Sequence, residues 1–121
     1  MKNFLEIPES KILYRNKYFF IIKDSFAVSP GHLLIISNEL RKDYFELTHL
    51  EKNSLTETID IAKNLIDKEF NPDGYNIGMN CGLVAGQSIF HFHCHIIPRY
   101  KGDMKNPKGG VRGVIPDKMG Y

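Results

Sequence analysis

The sequence predicts an α+β domain, and three features carry that prediction. Apolar runs rich in β-branched and aromatic residues open the chain. A stretch with helical period fills the middle, between residues 43 and 70. A second set of β-type runs follows, ending at Pro98. No internal repeat interrupts this order.

The elements follow from the residues in turn. "KILYRNKYFFIIKD" holds two apolar β-type runs around Asn16-Lys17, which predicts a hairpin over residues 12–23. "SPG" at Ser29-Pro30-Gly31 breaks the chain, and "HLLIIS" then reads as a buried strand. "THLE" fits a capping box, with Thr48 at the cap and Glu51 three residues on. Leu55, Ile59, Ala62, Ile66 and Phe70 recur at spacings of three and four and mark one face of a helix over residues 50–70. "NPDG" stops it. "YNIGMN" is a candidate strand, "CGLVAGQS" a glycine-bearing loop, and "IFHFHCHIIP" a strand closed by Pro98. The strands so counted number five.

Length and composition bound the rest. The chain has 121 residues, with 42% hydrophobic and 25% charged residues, as an ordinary globular domain does. We expect one domain over residues 1–100 and a glycine- and proline-rich tail over 101–121. Apolar "VRGVIP" in that tail suggests that it packs on the body or on a second subunit. The net charge of +2 is too small to argue for a nucleic-acid partner. Cys81 and Cys94 form no CxxC pair, which fits free thiols in a reducing compartment. No apolar run reaches the roughly 20 residues of a membrane helix. "MKNFLEIPES" lacks the apolar centre of a secretory signal. The expectation is a cytoplasmic protein with no membrane partner.

"SIFHFHCHIIPRY" carries the chemistry. Three of the chain's five histidines stand there at alternate positions, His91, His93 and His95. Alternation on a strand puts them on one face, with Phe92, Cys94 and Ile96 on the core face. Neighbouring rings would sit about 6.6 Å apart and the outer pair about 13 Å apart. Three readings compete. The histidines could be incidental on a half-exposed face. They could ligate zinc, although the outer pair diverges and the strand offers no carboxylate to complete a set. Or they could do nucleophilic chemistry, since neutral imidazole attacks phosphorus well near pH 7. That third reading makes the middle residue, His93, the nucleophile. It also asks for donors around the phosphate, which the flanking histidines, the backbone of the loop 82–88 and the Ser88 hydroxyl could supply.

"HFHCHII" matches the pattern His-φ-His-φ-His-φ-φ, φ being apolar, and so resembles the histidine triad, or HIT, superfamily of nucleotide hydrolases and transferases. "SPGHLLIIS" is similar to the family's upstream segment, "AGQS" to its phosphate loop, and "PRY" to its diadenosine polyphosphate hydrolase branches. The likeness runs from the first hairpin to Arg99. It implies a HIT-like fold: a five-stranded antiparallel sheet, one long helix and a short one, with the sheet extended across a homodimer. The helix over 50–70 would be a candidate interface.

The resemblance also implies roles. His93 would form the nucleotidyl intermediate. His91 and His95 would contact phosphate oxygens and orient it, with His32 in support. Asp24 would hold the ribose hydroxyls, and Asn80 ribose or phosphate. Gly86, Gln87 and Ser88 would belong to the phosphate loop, with Gln87 and Ser88 facing the phosphates and leaving group. Ile22, and Leu34 beside it, would line an apolar base slot. Arg99 is either a phosphate contact or a solvated charge, and His49 matches no family role. The paired cysteines of the family's zinc-bearing branches are absent, so no metal and no cofactor are expected. The tail resembles the glycine-rich extension of a microbial subgroup. The implied activity is hydrolysis or transfer at the α-phosphorus of a purine nucleoside 5′-phosphate derivative. A dinucleoside polyphosphate is the first choice of substrate and a phosphoramidate the second. A non-catalytic nucleotide-binding regulator is the rival of another class.

Overall fold

A computed structural model describes residues 2–121; Met1, the first residue of the expected domain, lies outside the described residues. Five strands form one antiparallel sheet: β1 (Tyr14–Arg15), β2 (Phe19–Lys23), β3 (Leu33–Ser37), β4 (Gly74–Gly78) and β5 (His93–Arg99). Their order across the sheet is β1-β2-β3-β5-β4. The single α-helix among the described residues, α1 (His49–Glu69), links β3 to β4. Where a second, short helix was expected, the described chain has only short 3₁₀ segments, such as Tyr44–Glu46.

The hairpin β1–β2 forms, with Tyr14 opposite Ile21. Its turn is made by Asn16, whose Oδ1 accepts from the N–H groups of Tyr18 (3.1 Å) and Phe19 (2.8 Å). The Asn16 amide also donates to the Thr58 hydroxyl on α1 at 2.9 Å. That bond explains a shift in the helix's buried stripe. It runs Glu51, Leu55, Thr58, Ala62 and Ile66, while Ile59 is only half-buried. Thr48 and Glu51 make the capping box the sequence predicts.

β2 and β3 read as unbroken apolar runs because both of their faces are covered. Toward α1 lie Phe19, Ile21, Leu33, Ile35, Phe92, Cys94 and Ile96. Phe20, Ile22, Leu34 and Ile36 point the other way, toward Phe4 and the partly buried Ile7 and Ile89. Residues directly opposite one another on neighbouring strands share a face. Leu34 is paired with His95 and Ile36 with His93, so both histidines stand on the face away from the helix.

β5 starts at His93, four residues later than the sequence suggests. The Phe92 N–H donates to the Arg41 carbonyl at 2.6 Å, outside the β3 ladder, so 89–92 is held as a loop. Pro98 does not end β5, which runs on to Arg99. The β3 ladder stops at the Leu33–Ile96 pair, so the N–H that Pro98 lacks would have had no partner there.

Gly31 fixes the turn before β3. Its φ is +92°, and a Cβ there would lie 2.9 Å from the Phe70 ring. Ser29 donates to the Pro98 carbonyl and Tyr100 to the Pro30 carbonyl, which pins the turn against β5 and delivers His32 to the strand's mouth. The tail turns back through a 3₁₀ segment, Gly110–Val114, which packs against β4.

Candidate active site

The face of the sheet away from α1 carries a cavity of about 370 Å³. Ile22, Leu34, Phe4 and Phe26 supply apolar wall, and Asp24, Asn80, Gly86, Ser88, His93 and His95 the polar part. Seven of the sequence-predicted site residues meet there, besides Leu34. Neither lysine nor arginine lines it among the described residues.

Partners fix the protonation of each ring. The His93 Nδ1 lies 2.9 Å from the His91 carbonyl oxygen. A carbonyl only accepts, so Nδ1 carries the proton and Nε2 keeps its lone pair. Among the described residues no protein group takes up that lone pair, and the ring borders the cavity.

His91 corrects an expectation. It is fully buried, with Nε2–H donating to the Ser37 carbonyl (2.8 Å) and Nδ1 accepting from the Phe4 N–H (3.0 Å). Burial holds its pKa below the ordinary value. Both nitrogens are spent on backbone, so this ring cannot touch a phosphate. It lies ahead of β5 rather than within it, and its contribution is to aim its own carbonyl at His93.

His32, His95 and Asp24 form a relay. The Val28 N–H donates to His32 Nδ1 at 3.1 Å, so the His32 proton sits on Nε2. That Nε2 is 2.9 Å from His95 Nδ1 and 3.3 Å from an Asp24 oxygen. His95 Nδ1 therefore accepts, and the remaining nitrogen, Nε2, carries a proton free to be donated. Burial pushes the His95 pKa down to about 4, against the attraction of Asp24. Burial likewise lowers His32. His95 is thus a neutral donor at pH 7, beside His93 at 5.3 Å between ring centres.

These three residues also present ligand atoms within 4.8 Å of one another. A metal on His32 Nε2 would need its proton moved to Nδ1, where it would oppose the Val28 N–H. The donor set is committed to hydrogen bonds and does not fit an ion.

The loop before β5 supplies the rest. Gly86 has φ +97°, a conformation that favours glycine, and stands beside Asn80. Gln87 corrects a second expectation. It is 2% exposed, its amide donates to the Lys42 (2.6 Å) and Ile89 (3.1 Å) carbonyls, and its oxygen accepts from the Gly82 N–H (2.8 Å). It ties the loop down instead of facing the cavity. Arg99 is answered too: it makes a bidentate pair with Asp103 at 2.8 Å and donates to Asn76 at 2.7 Å, so it is not free for phosphate. His49 is exposed at the start of α1.

Sequence reasoning missed Phe4, whose ring stands 5.2 Å from His93, and the cavity residues Ile7, Phe26 and Ile89. Apolar positions in "NFLEI" were the only signal for the first two of this group to reach, and they have no spacing that points to a site. It also missed Arg41. That residue's carbonyl holds Phe92, and its Nε pairs with the buried Glu51 carboxylate at 3.0 Å.

Comparison with known proteins places the chain in a family. The HIT domain family matches residues 5–102. An uncharacterized HIT-like protein of Methanocaldococcus jannaschii is 35% identical over 117 residues, covering 94% of this chain and 88% of its own length. An asymmetrical bis(5'-nucleosyl)-tetraphosphatase of Schizosaccharomyces pombe is 34% identical over 94 residues, covering 78% of this chain. The match spans only 52% of that enzyme. A crystal structure of a HIT family protein from Bacillus anthracis superposes with a TM-score of 0.72 at 35% identity, covering 77% of this chain and 66% of that one. With its five-stranded antiparallel sheet, its single long helix and the match over 5–102, the chain belongs to the HIT domain family.

Proposed function

We propose that the protein hydrolyses, or transfers the nucleotide of, a nucleoside 5′-phosphate derivative through a covalent intermediate on His93. One observation carries the reading: His93 Nδ1 is committed to the His91 carbonyl, which leaves the Nε2 lone pair bordering the cavity. The base rests on Ile22, Leu34 and Phe26. Asp24 has acceptor capacity beyond its bond from the Phe26 N–H, enough for two ribose hydroxyls.

His93 Nε2 attacks the α-phosphorus; the N–P bond forms and the P–O bond to the leaving group breaks. The positive charge that grows on the ring is eased by the hydrogen bond to the His91 carbonyl. His95 Nε2–H, the Ser88 hydroxyl and the Asn80 amide donate to the phosphate oxygens. Water then attacks phosphorus, the N–P bond breaks, and a nucleoside monophosphate leaves. A site of neutral donors without a cation stabilises spread charge without holding a polyanionic ground state tightly.

The Schizosaccharomyces relative's name supports a dinucleoside polyphosphate as substrate. We take a purine base, a homodimer in the cytoplasm and a domain over 1–100 with a separate tail as parts of the same proposal. β4 is an open sheet edge and Leu50 on α1 is 61% exposed, which suits a second copy. Among the described residues no helix is long and apolar enough to cross a membrane.

The test compares native protein with His93→Ala and His93→Gly on adenosine and guanosine polyphosphates and phosphoramidates. Loss of turnover by about 10⁴-fold or more in both variants is expected. Equal turnover in native and variant proteins would end the proposal, and tight nucleotide binding without turnover would favour a regulator.

A further inference from the structure

His93 keeps its Nδ1 proton on the His91 carbonyl, and that carbonyl belongs to a peptide group with a second end. The His91 carbonyl and the Phe92 N–H share one planar unit and point in opposite directions. The Phe92 N–H donates to the Arg41 carbonyl at 2.6 Å. The Arg41 carbonyl and the Lys42 N–H share a second such unit. The Lys42 N–H donates to the Glu46 carboxylate, also at 2.6 Å. A line of three hydrogen bonds thus starts at the His93 ring, crosses two peptide groups and ends on a carboxylate.

The line is braced from several sides. Arg41 Nε donates to both oxygens of the buried Glu51 on α1, at 3.0 and 3.2 Å. The Lys42 carbonyl accepts from the Gln87 amide at 2.6 Å. The Ser37 carbonyl accepts from the His91 ring at 2.8 Å. Neither peptide unit can swing away without breaking a bond elsewhere. The bonds from Phe92 and Lys42 are short beside the usual N–H···O distance of about 2.9–3.0 Å. A charge at one end of a chain of hydrogen bonds strengthens them in succession.

His93 has no carboxylate of its own. Asp24, in the same cavity, pairs with His32 and His95 instead. Positive charge grows on the His93 ring as it attacks phosphorus. Both peptide dipoles in the line turn their carbonyl ends toward that ring and their N–H ends toward Glu46, the orientation that stabilises such a charge.

We propose that Glu46 is a positioning residue for His93, acting through the Arg41–Lys42 and His91–Phe92 peptide groups to hold the ring proton on Nδ1 and to ease the charge that builds there. The inference rests on the covalent reading above and adds a residue to it. Glu46 is exposed and does not line the cavity, so it acts on the reacting ring and not on substrate binding.

The test follows single turnovers of diadenosine triphosphate with protein in excess. It compares native protein with Glu46→Ala, Glu46→Gln and Glu57→Gln, the last removing one exposed carboxylate elsewhere. Glu46→Ala should lower the maximal rate by about fivefold, the scale of a charge-assisted bond felt through two cooperative links. Glu46→Gln keeps an acceptor for the Lys42 N–H and should recover part of that loss. The protein concentration giving half the maximal rate should stay within about twofold, as for an interaction made only in the transition state. Glu57→Gln should keep the native rate within about 1.5-fold.

Proton and nitrogen-15 NMR without nucleotide reads the line directly. In Glu46→Ala the Lys42 and Phe92 amide protons and the His93 Nδ1 proton should all move upfield, by decreasing steps. A carboxylate that only braced its own loop would move the Lys42 proton alone. If native protein turns over no nucleotide, the hydrolase reading fails while the three proton shifts still decide this one. A native rate in Glu46→Ala, an equal loss in Glu57→Gln, or a shift change that stops at Lys42 overturns it.

Discussion

Acidifying the protein from pH 7 to pH 5 should destabilise it, and His95 supplies the largest part that can be worked out. Burial holds its folded-state pKa near 4 against an ordinary 6.5. Between those values the unfolded chain binds a proton that the folded chain does not. Stability is then complete above pH 6.5 and drains as pH falls toward 4. At about 1.4 kcal/mol per pH unit, the full displacement is worth about 3 kcal/mol, of which about 2 kcal/mol is lost between pH 7 and 5. The side chain is 26% exposed, and solvent screening trims that to about 1–2 kcal/mol. His91 and His32 are lowered by burial too and add in the same sense. Asp103, held to about 2 by Arg99, contributes only below its ordinary 3.8, outside this window. Urea unfolding at half-unit steps of pH reads the effect, with His95→Asn as the control that cannot titrate. Native stability that stays flat from pH 7 to 5, or a loss in the variant as large as the native one, would refute the reasoning.

Gly31→Ala should lower stability by about 2 kcal/mol, because its φ of +92° and the nearby Phe70 ring both oppose a side chain; a melting temperature within a degree of native would contradict that. Glu51→Ala removes a 1%-exposed carboxylate from both the capping box and Arg41, and should cost about 3 kcal/mol in urea unfolding. Glu51→Gln should recover part of it, because an amide oxygen can still accept from the Thr48 N–H. His32→Ala frees His95 Nδ1 to take the proton toward Asp24, so kcat should fall about 100-fold while KM moves little, and His32→Gln should restore part. Equal KM and kcat effects would show instead that His32 shapes only substrate binding.

Much of this was legible before any coordinates. Periodicity placed α1 and its capping box, because a long amphipathic helix repeats its signal many times. Apolar runs placed β2, β3 and β5, and alternation put His93 and His95 opposite Cys94 and Ile96. What escaped was decided by backbone partners. His91 looks like its two neighbours in "HFHCH", yet the Ser37 carbonyl and the Phe4 N–H claim both its nitrogens. Gln87 beside Ser88 reads as a phosphate ligand, yet the Lys42 carbonyl, distant in sequence, draws it inward. Backbone carbonyls, and N–H groups outside proline, are the same at every residue, so sequence carries no mark of which one a side chain will meet. Phe4 was missed for a related reason: one aromatic residue near an end has no period to betray it.

Quenching the native protein in alkali within milliseconds of mixing with diadenosine triphosphate, and then weighing its peptides, puts His93 to the most direct trial. The N–P bond survives base and breaks in acid. We expect one added nucleoside monophosphate on the peptide holding His93, lost after acid treatment and absent from His93→Gly. An adduct on His91, His95 or Ser88, or rapid turnover with no adduct at any time, would contradict the account.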